Sequence, residues 1–453
     1  MTPPPPDAGP PAPPADTTRE RPRWSVTPPV AFSGAGVALL LGVALVSGRA
    51  EFALLALPAI LGIALGLDRR PRRDAEVTVG TRLAPDDDAT GVGYRITFDL
   101  PDAVDGVAVQ LVSADNLTHR FAVDAETARA GVGGRIPVTH SGPQEIVRLH
   151  YSLLGARGTA LTSPDPGPAS RRLIPPPRLR MESLPLPHRV VGITGAHSSA
   201  TPGDGGEFRD IALFAPGDRL RRIDWKATAR RSQRPGELYV RRSFSTADAI
   251  VMLVLDDRDE LGPDVSLWSG ARGATADATS LDLGREAASS LAAAYIAAGD
   301  RVGLRDLAGT ARSVEPGGST RHLERLQSTI ALAAPTGEPV RNARTPLVPA
   351  SSLVIVLSTF LDDPAATMAI SWASTGHRVI AVDTLPEPDV RRLTHEERAA
   401  YSLIMVERND RIDGMVASGV EPVRWQPLKG GTGPSSMPAS VQLRMLSRPR
   451  RVR

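Results

Sequence analysis

The 453-residue sequence predicts a multidomain chain: an N-terminal transmembrane helical hairpin, a small β-sandwich-like domain, then an α/β doubly wound domain. Three observations carry this. Two closely spaced apolar segments without charge stand near the N-terminus, short alternating runs broken by turns fill residues 74–180, and strand and helix patterns alternate from residue 246 onward.

Residues 1–29 hold eleven prolines and few apolar side chains apart from Trp24 and Val26. Such a composition buries too little surface to offset ordering, so a disordered tail is expected there. Residues 30–48 carry no charge and, at about 1.5 Å per residue, can cross a hydrocarbon layer about 30 Å thick. Arg49-Ala50-Glu51 interrupts, and residues 52–67 resume without charge, shorter and with Pro58 inside. A second apolar run so close behind the first fits a cleaved signal peptide poorly. Arg19, Arg21 and Arg23 precede the pair and Arg69, Arg70, Arg72 and Arg73 follow it, whereas the turn offers only Arg49. The excess of cations at both outer ends predicts a two-span protein of the cell membrane, the hairpin covering residues 30–68, with both termini cytoplasmic.

Elsewhere composition mainly excludes. Lys+Arg 53 against Asp+Glu 50 leaves a net charge of +3, no global footprint of a nucleic-acid binder. The absence of cysteine removes disulfides, thiolate zinc sites and cysteine nucleophiles.

In the β-rich domain, residues 75–83, 93–100, 107–113, 135–139 and 145–153 read as strands, and the alternation over 93–100 suits a strand with one wet face. A proline-rich connector at 163–187 closes it. From residue 249 to 255 runs a continuous apolar stretch ending in Asp256-Asp257, as a buried parallel strand would. Helices are expected at 282–298, with Asp282 near the N-cap, and at 320–334, 364–374 and 396–417; further strands at 301–307, 353–357 and 377–384. This α/β domain spans 246–429, and residues 430–453 read as a flexible basic tail with Arg448, Arg450, Arg451 and Arg453.

Between connector and sheet, over residues 186–245, lies the densest motif: Phe208-Arg209, then Phe214, Pro216-Gly217-Asp218, Arg221-Arg222-Ile223-Asp224-Trp225-Lys226 and Ala229-Arg230. Pro216-Gly217-Asp218 is turn chemistry, proline presetting φ and glycine admitting its positive values. Phe214, Ile223 and Trp225 read as apolar anchors. From Glu207 to Arg242 there are ten basic and five acidic residues, so the stretch is locally positive. One expectation is that Arg209, Asp218, Arg222, Asp224 and Arg230 form salt bridges pinning the segment to the sheet; another is a surface for an acidic protein or anionic lipid headgroups. Without a recognition helix, nucleic acid is not expected.

This motif resembles the signature of the bacterial domain-of-unknown-function family 58. The resemblance implies a von Willebrand factor A-like domain after the signature and a membrane anchor before it. It also implies association with MoxR-type AAA+ ATPases, in the assembly or maturation of other proteins or in envelope processes.

Metal-binding A-like domains carry Asp-x-Ser-x-Ser after the first strand, one carboxylate and two hydroxyls suiting a hard divalent cation. Here Asp256 is followed by Arg258 and Glu260 at the serine positions, and a later acidic position reads Ser358-Thr359-Phe360, with Asp362 beyond. A degenerate site at Asp256, Arg258, Glu260 and Thr359 is expected to bind no metal, because Arg258 places a fixed cation there. The alternative is an acidic cluster of Asp256, Asp257, Asp259 and Glu260 that still holds a cation.

Other chemistry finds no motif. His395-Glu396-Glu397-Arg398 begins like a zincin helix, but Ala399 stands where the second histidine belongs; Gly131-Val132-Gly133-Gly134 lacks a strand-to-helix context; no phosphate loop or nucleophile elbow occurs. The expectation is therefore a non-enzymatic protein-interaction module without cofactor, held to lipid by its hairpin and partnering a MoxR-type ATPase. Its rivals are a divalent-metal-dependent enzyme or switch at Asp256, and a structural envelope scaffold.

Overall fold

The computed structural model describes residues 16–68, 75–85, 91–115, 117–155, 157–190, 195, 197–268, 277–307, 313–335, 345–425 and 437–447. The chain divides into two units, residues 1–139 with 144–172 and residues 140–143 with 173–453.

The first unit begins with β1 (Asp16–Glu20) and β2 (Trp24–Val26), followed by α1 (Pro28–Ser47) and α2 (Ala50–Asp68). The remaining elements are β3 (Val77–Pro85), β4 (Gly91–Asp99), β5 (Val104–Ser113), β6 (Thr118–Asp124), α3 (Ala125–Ala130), β7 (Val132–Pro137), β8 (Gly142–Gly155), β9 (Ala160–Thr162) and β10 (Asp165–Ile174). One sheet runs β1-β3-β4-β7 and a second runs β2-β9-β8-β5-β6, with β10 also on β8. Ile96 and Phe98 of β4 are buried while the alternating Thr97 and Asp99 are exposed, the expected one-wet-face alternation. Phe98 meets Tyr151 of β8 edge-on, ring centroids 5.8 Å apart, so the inner faces of the two sheets share a core.

Two expectations are corrected. Residues 16–26, assigned to a disordered tail by their prolines, are strands: β1 pairs antiparallel with β3 and β2 with β9. Their threonines, Trp24 and Val26 suit a pleated edge, and Arg21 holds Glu76 at 2.8 Å. Part of the presumed connector is likewise β10, pairing with β8. The glycine run 131–134 enters β7 rather than a nucleotide loop. There a Cβ on Gly134 would stand 2.6 Å from the Tyr94 phenol oxygen.

Helix α1 is long and apolar enough to cross a membrane, with mean hydropathy 2.2 and none of its residues buried. It ends at Gly48 in the left-handed region (φ 65°), and α2 begins two residues later with a shorter apolar stretch, Ala50–Gly66. The arginines at 69–73 lie outside the described residues.

The second unit contains β11 (His197–Leu213), α4 (Trp225–Arg231), β12 (Tyr239–Ala247), β13 (Ile250–Leu255), α5 (Ser280–Ala297), β14 (Arg301–Asp306), β15 (Val314–Gly317), α6 (Thr320–Ala331), β16 (Leu353–Ser358), α7 (Asp363–Ser374), β17 (Arg378–Asp383), α8 (His395–Ala417), β18 (Glu421–Arg424) and α9 (Ala439–Leu446). A six-stranded sheet runs β15-β14-β13-β16-β17-β18, parallel except for the edge strand β15. Every residue from Val251 to Val254 is completely buried, because helices cover both faces. Val251, Leu253 and Leu255 pack with Leu283, Leu291 and Tyr295 of α5 and Leu326 and Ile330 of α6. Val254 packs with Met368 and Trp372 of α7 and Met415 of α8. This is the doubly wound order, whose topological switch point lies between β13 and β16.

Asp282 stands near the N-cap of α5, as expected. Thr279 caps it, and Asp282 is the third residue of a capping box, its side chain returning to the Thr279 backbone. The presumed flexible tail contains α9, whose Leu443 is wholly buried; residues 426–436 and 448–453, including the four terminal arginines, lie outside the described residues.

Candidate functional site

The signature segment forms an arm of the second unit. Strands β11 and β12 pair antiparallel as a two-stranded sheet separate from the six-stranded one, with α4 in their connection. Arg209 on β11 pairs with Asp210 at 3.1 Å, and Arg241 lies over the Phe208 ring at 5.2 Å. Beyond β11 the backbone of half-buried Phe214 bonds Leu238 at 2.8 Å. Pro216 and Gly217 make the turn, Gly217 at φ 101°, and Asp218 closes it by accepting from the Ala215 N–H at 2.9 Å. Arg242 donates to the same carboxylate at 2.9 Å and, with that Ala215 bond, holds Asp218 below the usual carboxylate range.

Arg221 and Arg222 lie in a single 3-10 turn, Leu220–Arg222, after which Ile223 bridges to Val240. Asp224 caps α4 by accepting from the Ala227 N–H at 2.9 Å. The helix displays Trp225, Lys226, Ala229 and Arg230. The placing of three predicted residues differs from expectation. Trp225 is no anchor but 68% exposed, and neighbouring Leu220 is 69% exposed. The carboxylates of Asp218 and Asp224 are spent inside the arm, on Arg242 and on the helix cap, rather than pinning it to the six-stranded sheet. Across residues 219–234 seven basic side chains accompany one acidic one, so the tip is strongly cationic with two large apolar side chains in solvent.

At the switch point the strand ends bring together a different cluster. Asp256 follows β13, and its carboxylate takes two donors from Arg258, Nε and Nη2, both at 2.8 Å. The same guanidinium donates to Asp362 from Nη1 at 2.6 Å and Nη2 at 2.9 Å. Ser358, the last residue of β16, donates to Asp256 at 2.6 Å. Burial works against the Arg258 charge, but its bonds to the two carboxylates outweigh this and raise its pKa above the ordinary arginine value. Asp259 moves up, through burial first and then the charges of Asp256 and Asp362. Glu260 turns away to accept from Thr279 at 2.9 Å. Thr359 contributes its carbonyl to Arg408 of α8 at 2.8 Å, followed by buried Phe360 in the left-handed region (φ 54°).

These donors do not fit a divalent cation: the buried Arg258 guanidinium stands between the oxygen atoms that would ligate it. Among the described residues no other group of three or more carboxylates and histidines could hold a metal. Sequence reasoning missed Arg408, which also pairs with Asp383 at 2.5 Å. The available signal was Asp383 at the end of an apolar strand, the position Asp256 occupies after β13.

Residues 210–412, from the arm through most of α8, match the model of the family described as protein of unknown function DUF58. An uncharacterized protein of Mycobacterium bovis is 26% identical over 221 residues, 47% of this chain and 65% of the relative. An uncharacterized protein of Mycobacterium tuberculosis matches with the same identity and coverage. The matched region thus spans just under two thirds of the length of these relatives.

Proposed function

We propose that this is a membrane-anchored protein-interaction module whose α/β domain and basic arm face the cytoplasm and bind a protein partner. The observation that carries it is the arm tip, where Leu220 and Trp225 are exposed among Arg221, Lys226 and Arg230. Cationic, half-apolar surface of this kind suits an acidic face with a hydrophobic pocket. The family resemblance points to a MoxR-type AAA+ ATPase as that partner, in the assembly or maturation of other proteins or in envelope processes. The six-stranded doubly wound sheet supports the von Willebrand factor A-like reading, and its switch-point crevice, filled by Arg258, favours contact over catalysis. Consecutive α1 and α2 support a two-span hairpin with both termini inside.

Affinity capture of the full chain from detergent-solubilised membranes, with and without ATP, tests this reading. A defined ATPase should be recovered with the wild type and lost when Arg221, Lys226 and Arg230 are all changed to Glu. Equal recovery with reversed charges would remove the arm from the interface. Recovery of the whole product in the high-speed supernatant without detergent would remove the anchor.

A further inference from the structure

We infer that Arg258 is a resident cation standing in the place of a divalent metal at the C-terminal edge of the sheet, so that the site is assembled without metal and is closed to any carboxylate a partner could offer. Two carboxylates converge on one centre from the end of β13 and the loop behind β16, Asp256 and Asp362, and the Ser358 hydroxyl at the end of β16 donates to Asp256 at 2.6 Å. Guanidinium satisfies such a donor set because it is planar, permanently charged and forked on both sides. Four contacts of 2.6–2.9 Å engage four of its five N–H groups, two toward each carboxylate.

The comparison with a metal is one of charge and reach. A hard divalent ion draws its oxygen ligands to about 2.0–2.6 Å and keeps an open position for water or an incoming carboxylate. Arg258 carries one positive charge against the two carboxylates and is 6% exposed, so it ties the two strand ends together with almost no surface to offer. Contact with a partner at this end of the sheet must therefore run through neighbouring surface and be indifferent to chelators.

The same geometry contains a latent metal site. Replacing Arg258 by Ser removes the internal cation and leaves Asp256, Ser358, Asp362 and the new hydroxyl around the vacated volume, all hard oxygen donors. Titration calorimetry with Mn²⁺ on the full chain in detergent should give no saturable heat for the wild type or for Arg258→Lys. Arg258→Ser should give saturable heat for one equivalent of Mn²⁺, and Arg258→Ser with Asp256→Asn should lose that binding. Should Arg258→Ser lose its cooperative melt in metal-free buffer, Mn²⁺ must restore it. Saturable Mn²⁺ binding by the wild type that disappears with Asp256→Ala would overturn the inference. So would an Arg258→Ser protein that neither binds Mn²⁺ nor is refolded by it.

Discussion

His140 and Asp282 are joined by a 2.7 Å contact between Nδ1 and Oδ2 in the second unit. Asp282 also accepts from Ser141 N–H at 2.8 Å and from Thr279 N–H at 3.0 Å, so one carboxylate serves both the start of α5 and the segment at 140–143. Burial alone would raise its pKa, but the His140 bond and charge and the two backbone N–H groups bring it down to about 2. A carboxyl lowered on folding adds stability that is complete above its unfolded value, near 4, and is lost as pH falls through the folded value. The wild type should therefore lose about 2 kcal/mol between pH 4 and pH 2 that Asp282→Asn does not. Urea unfolding curves over that range make the comparison, and parallel pH profiles for the two proteins would refute the linkage.

Much of this architecture was legible in the sequence because period and length decide it. The run at 249–255 admits only a doubly covered strand, and the helix at 396–417 extends by a single residue to His395. What escaped was structure made by partners distant in sequence. Strands β1 and β10 look like linker until β3 and β8 supply their hydrogen bonds, and β15 and β18 are four residues each, too short to show a period. In the arm, composition cannot distinguish an apolar anchor from an apolar side chain left in solvent, as Trp225 demonstrates. At the switch point Arg258 was legible as an intruding cation, while its tie to Asp362 across 104 residues required coordinates.

Helix α4 has seven residues and no buried side chain, so little besides its cap holds it. Asp224→Ala removes the acceptor for the Ala227 N–H and should cost the helix about 1 kcal/mol. Backbone amides at 227–231 should then exchange roughly fivefold faster, since about 1 kcal/mol corresponds to that factor. The melt of the six-stranded sheet should stay where it is. Unchanged exchange at those amides would mean that Trp225 and its neighbours are held by something other than the cap.

Helix α9 decides whether the C-terminal region is structural. Leu443 is wholly buried and joins the cluster around Trp425, Val423 and Leu283, while Gln442 accepts from the Arg424 N–H at 3.0 Å and Arg378 donates to the Leu446 carbonyl at 2.8 Å. A side chain in that position lines a cavity when shortened, so Leu443→Ala should destabilise the chain by about 2–5 kcal/mol. Removing everything from residue 437 onward should destabilise it further, because Trp425 and the edge strand β18 lose their cover. By contrast Val441→Ala, on the exposed side of the same helix, should change stability by less than about 0.5 kcal/mol. Urea midpoints for the three variants separate a docked helix from a dispensable tail: a midpoint for Leu443→Ala equal to that of Val441→Ala is what a tail would give.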